Sequence, residues 1–70
     1  MDQLEQWSER LLEAEEQLAG VYEAIASLHA ELREAGRKKD AQALGEVVDR
    51  LARYGRLFQD MRATWADPDA

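Results

Sequence analysis

Leu32-Arg33-Glu34-Ala35-Gly36-Arg37-Lys38-Lys39-Asp40-Ala41-Gln42-Ala43-Leu44 divides the chain into two apolar ladders and sets how they meet. Gly36 has the backbone freedom that ends a helix in a left-handed cap. Arg33 and Arg37 suit the negative end of the helix before it. Asp40 is a good N-cap for the helix after it. Upstream, apolar residues fall at Leu4, Trp7, Leu11, Ala14, Leu18, Val21, Ile25, Leu28, Leu32 and Ala35. Downstream they fall at Leu44, Val47, Leu51, Tyr54, Phe58, Met61 and Trp65. Both series alternate steps of three and four, which keeps every rung on one stripe of an α-helix. The pattern predicts helix 1 over about 3–35, a turn over 36–40, helix 2 over about 41–66 and a tail over 67–70. Asp2 with Glu5 forms a capping-box pattern for the first helix, and Asp67-Pro68 stops the second. Gly20 is a poor helix residue, but the ladder keeps its phase through it.

So short a turn makes the helices antiparallel. The rungs then pair as Leu32 with Leu44, Leu28 with Val47, Ile25 with Leu51 and Val21 with Tyr54, followed by Leu18 with Phe58, Ala14 with Met61 and Leu11 with Trp65. Leu4 and Trp7 overhang by roughly 10 Å of helix. The predicted fold is all-α: a single-domain, coiled-coil-like antiparallel two-helix hairpin over residues 1–70. A chain of 70 residues with no Cys has neither a large core nor a disulfide to hold it. The hairpin is therefore expected to complete a four-helix bundle, by dimerisation or by docking on a partner.

The net charge is −6. Residues 1–35 carry Asp2, Glu5, Glu9, Glu13, Glu15, Glu16, Glu23, Glu31 and Glu34 against Arg10 and Arg33, a net of −7; residues 36–70 come to +1. This field disfavours nucleic acid and anionic membrane as partners. Arg50, Arg53 and Arg56 step along helix 2 without stacking aromatics between them, since Tyr54 and Phe58 belong to the ladder. No apolar run is long enough to span a membrane, and the acidic N-terminal stretch does not read as a signal peptide; a cytoplasmic protein is expected.

The pattern carries no catalytic constellation. His29 is the single histidine, with Ala26 where a metal-binding Glu-x-x-His pair would need its acid. Glu13, Glu15 and Glu16 point in different directions on a helix, and no phosphate loop, nucleophile–base set or metal-ligand spacing is present. The reading is a non-enzyme without cofactor, metal or small-molecule substrate. Its candidate residues are protein-binding ones. Beside the ladder runs a flank of low charge and small side chains: Leu12, Ala19, Tyr22, Ala26 and His29 on helix 1, and Gly45, Val48, Ala52 and Gly55 on helix 2. Glu15 and Arg62 interrupt it and face each other. Two glycines inside a helix, each costing about 1 kcal/mol against Ala, point to close backbone approach, with Tyr22 over Gly55. Leu4, Trp7 and Trp65 gather at the open end as possible anchors, Trp being favoured at interface hot spots.

The stretch Glu31-Leu32-Arg33-Glu34-Ala35-Gly36 followed by Gln42-Ala43-Leu44, with the start Met1 to Glu5, resembles the small helical-hairpin co-chaperones of type III secretion needle subunits and also flagellar-type export chaperones. The resemblance implies a helical-repeat chaperone as partner, met by one face of the hairpin. The expected function is a small co-chaperone or adaptor that docks one helical face on a partner protein. The alternatives are a phage- or plasmid-encoded inhibitor of a host protein and, from a different class, a dimeric RNA-binding hairpin.

Overall fold

In the computed structural model, which describes residues 3–66, two helices run antiparallel and pack side by side. Helix α1 spans Gln3–Glu34 and α2 spans Lys38–Ala66. The hairpin measures 53 × 19 × 11 Å. The all-α hairpin read from the ladders is therefore the observed fold. Helix α1 continues unbroken through Gly20. The expected Asp2 cap and the Asp67-Pro68 stop lie outside the described residues.

The turn is tighter than the sequence suggests. Gly36 adopts φ +79°. Its N–H donates to the Arg33 carbonyl (3.1 Å), and the Arg37 N–H donates to the Leu32 carbonyl (2.9 Å). These are the two bonds of a Schellman cap, which satisfies the Leu32 and Arg33 carbonyls in the last turn of α1. The chain enters α2 at once: the Arg37 carbonyl already accepts from the Ala41 N–H at 2.9 Å. Asp40 is therefore not the cap expected before the helix. It sits in the first turn of α2, where an acid suits the positive helix end, and its carboxylate accepts from Arg37 Nε at 2.9 Å. The turn shrinks from the expected 36–40 because Gly36 alone reverses the chain.

The packing differs from the expected rung-to-rung pairing. Leu11, Leu18, Ile25 and Leu32 are half-buried with Leu44, Leu51, Phe58 and Trp65. The alternate rungs Trp7, Val21, Leu28, Val47, Tyr54 and Met61 are exposed. Their places between the helices go to Ser8, Glu15, His29, Ala41, Val48, Gly55 and Arg62, which are half-buried or, for Ala41, buried. Both helices have thus turned slightly about their axes, so that the seam runs between the shared rungs and the small-residue flank. This rotation brings the glycines inward. A Cβ on Gly55 would stand 3.8 Å from Leu18 Cδ2, and one on Gly45 would stand 3.3 Å from His29 Nε2. It also brings two opposite charges into reach across the seam. Two helices can enclose only a narrow strip, and among the described residues Ala41 alone is buried, at 4% exposure.

Candidate functional site

Because the helices are antiparallel and turned by the same sense, their displaced rungs emerge on one side. Helix α1 presents Trp7, Val21 and Leu28; helix α2 presents Val47, Tyr54 and Met61. Val21 is 51% exposed, Leu28 46% and Tyr54 50%. Scattered apolar residues on a surface need no explanation; these six stand in two rows along one side, which makes that side a candidate contact surface. The shared rungs Leu11, Leu18, Ile25, Leu44, Leu51 and Phe58 form the floor between the two rows. The face has no charged residue at any ladder position from Leu4 to Ala35 or from Leu44 to Trp65.

At the open end this face is bounded by aromatic rings. Trp7 and Trp65 lie with ring centroids 6.5 Å apart and planes tilted by 53°, a favourable aromatic geometry. Trp65 thus reaches the overhang that had no rung opposite it. Trp7 stays exposed, Trp65 is half-buried, and Leu4 is exposed beyond them. Together with Arg10, Leu11 and Ala14 the two rings line a shallow recess. These open-end anchors from the sequence therefore border the ladder face.

The flank singled out from the sequence is divided by the structure. Ala26, His29, Gly45, Val48, Ala52 and Gly55 are half-buried. Leu12, Ala19 and Tyr22 remain exposed. Tyr22 and Gly55 line one groove with Ala19, Ala52, Leu18 and Leu51, about 250 Å³ in volume, but the side chain within 4 Å of a Cβ placed on Gly55 is Leu18 and not the expected Tyr22. The groove's edge holds Glu15, whose carboxylate accepts from both Arg62 Nε and Arg62 Nη2, the latter at 3.0 Å. That hydrogen bonding, helped by the attraction of the Glu15 charge and opposed by burial, raises the Arg62 guanidinium pKa above its ordinary value.

Leu4 and Trp7 apart, the exposed rungs Val21, Leu28, Val47, Tyr54 and Met61 are residues that sequence reasoning did not place at a site. A signal for them was present in Glu15 and Arg62: a carboxylate and a guanidinium that pair across a hairpin must lie at its seam, and this turns alternate rungs outward. The basic residues Arg37, Lys38 and Lys39 are exposed at the turn, with Arg37 Nη2 2.6 Å from the Asp40 carboxylate. Among the described residues no three His, Cys, Asp or Glu side chains gather as metal ligands, and no helix is long and apolar enough to cross a membrane. No family model matches the chain, and comparisons with curated proteins and solved structures give no match.

Proposed function

We propose that the chain is a small protein-binding module, of the adaptor or co-chaperone kind, that docks a helical face on other helices. The observation that carries this reading is the row of exposed ladder rungs on one side of the hairpin, set over a floor of half-buried leucines. Chains this small rarely hold a fold on one thin seam. A helical partner laid on the row would bury the exposed halves of Trp7, Val21, Leu28, Val47, Tyr54 and Met61 and supply the missing interior. Apolar burial is worth about 25 cal/mol per Å², so a face of this length drives association without any polar recognition element. The weak resemblance to needle-subunit co-chaperones agrees with this kind of work.

The test is capture by the full chain from its native cell extract, with three baits run side by side: wild type, Val21→Glu on the ladder face, and Ser27→Glu on the exposed outer surface. A partner, or further copies of the chain, held by wild type and Ser27→Glu and lost from Val21→Glu supports the reading. Equal retention by all three baits overturns it. The groove beside Tyr22 and Ala52 favours a second contact surface on the opposite side. Ala52→Arg tests that one: loss of a partner that Val21→Glu still holds would move the docking site to the flank.

A further inference from the structure

We infer that the occupant of the ladder face is a second copy of this chain, packed face to face with its turn at the opposite end. This rests on the docking reading above and names its partner. Three observations point the same way. The first is size. A face measuring 53 by 19 Å offers roughly 1,000 Å² per copy, at or above the roughly 800 Å² per partner of a standard stable interface.

The second is the spacing of the rungs. The α1 side of the face carries Trp7, Ala14, Val21 and Leu28 and, just past the helix end, Ala35, evenly placed about Val21. On α2 the face carries Val47, Tyr54 and Met61, evenly placed about Tyr54. Val21 and Tyr54 sit at the same level of the hairpin. A two-fold axis through that level closes every layer without a slip. Ala14 and Met61 then face Leu28 and Val47 of the copy, and the large Trp7 faces the small Ala35. Such large-to-small matching fills a core evenly. With the turns at the same end, the two-fold would run along the long axis and set α1 against α2 of the copy, Ala14 against Met61, so the choice between the two directions rests on charge.

The third is charge along the long axis. The open end holds Glu5, Glu9, Glu13, Glu15, Glu16 and Asp60 against Arg10 and Arg62, a net of −4. The turn end holds Glu31, Glu34, Asp40 and Glu46 against Arg33, Arg37, Lys38 and Lys39 and is neutral, with its three consecutive basic residues at the apex. Turns at the same end would set two −4 clusters side by side. Turns at opposite ends separate these clusters by far more than the Debye length of about 8–10 Å and lay the basic apex of each copy beside the acidic end of the other. A C2 contact of this kind is closed: the same face is used up on both copies.

Sedimentation equilibrium of the full chain from micromolar to millimolar concentration reads the mass. Lys39→Cys, in a protein with no cysteine of its own, takes a nitroxide label for a distance measurement between copies. The expected result is a dimer that Val21→Glu converts to monomer and Ser27→Glu does not, with labels roughly 45 Å apart, the rise of about thirty helical residues. Labels roughly 20 Å apart, as neighbouring helices require, would overturn the arrangement. A wild-type monomer throughout the range would overturn the copy as occupant. If that monomer still captures a different protein through Val21, docking on the ladder face survives without the dimer; if it captures none, both readings fall. Should Val21→Glu unfold, Tyr54→Lys read by the same mass measurement takes its place.

Discussion

Four glycines interrupt a chain that is otherwise rich in helix formers, and they do not weigh equally. Gly36 occupies the left-handed region at φ +79°, where an L side chain costs roughly 1–2 kcal/mol. Gly20 is helical with nothing within 4 Å of a Cβ placed on it. The same substitution should therefore act in opposite directions: Gly36→Ala lowers unfolding free energy by roughly 1–2 kcal/mol, and Gly20→Ala raises it by up to about 1 kcal/mol, both measured by urea titration at fixed protein concentration. Glu15 and Arg62 form the one charged pair across the seam among the described residues. Truncating either leaves the other half-buried without its partner, whereas replacing both with apolar residues removes the problem altogether. Arg62→Met should lower the thermal midpoint, and Glu15→Leu with Arg62→Met should recover it or pass wild type. A double variant less stable than Arg62→Met alone would contradict that reading of the seam.

The two helices were legible because their apolar residues repeat at helical spacing for their whole length, and the turn because Gly36 stands where one ladder stops. The starting point of α2 was less so: Asp40 has the chemistry of a cap, but the Schellman bonds close so quickly that it falls inside the helix. Which stripe of each helix would face its neighbour was harder still. Steps of three and four define a band wide enough for the centre of a four-helix assembly, and a hairpin covers only one edge of it. Rotation by part of a turn exchanges Val21 and Tyr54 for Glu15 and Gly55 while Leu11, Leu18, Ile25, Leu44, Leu51 and Phe58 stay at the seam, so the pattern alone does not choose. This divides the ladder into two classes with separate behaviour. Phe58→Ala, which removes a seam residue, should destabilise the chain at every concentration. Tyr54→Ala removes an outward one, and its effect should be small in dilute solution and grow to roughly 2–4 kcal/mol where copies associate. Thermal melts at two concentrations a hundredfold apart, each followed by far-UV circular dichroism, separate these outcomes.

At the scale of the molecule, charge and shape act along the same 53 Å axis. If the basic apex of one copy sits beside the acidic end of the other, Arg37→Glu together with Lys38→Glu and Lys39→Glu should weaken association roughly tenfold at low salt, because several exposed pairs of up to about 1 kcal/mol each are reversed. The difference should shrink in 1 M salt, where the screening length falls to about 3 Å; sedimentation at both ionic strengths provides the check. The sequence shows the uneven charge at first reading, but only the hairpin geometry assigns it to two ends rather than two faces. Finally, with Ala41 the one buried residue described, a solitary hairpin shelters very little of its backbone from opening. Proteases sample such openings in proportion to their population. Unassociated molecules should accordingly be cleared quickly, and if the ladder face docks as proposed, associated ones persist and cellular abundance tracks the supply of the occupant.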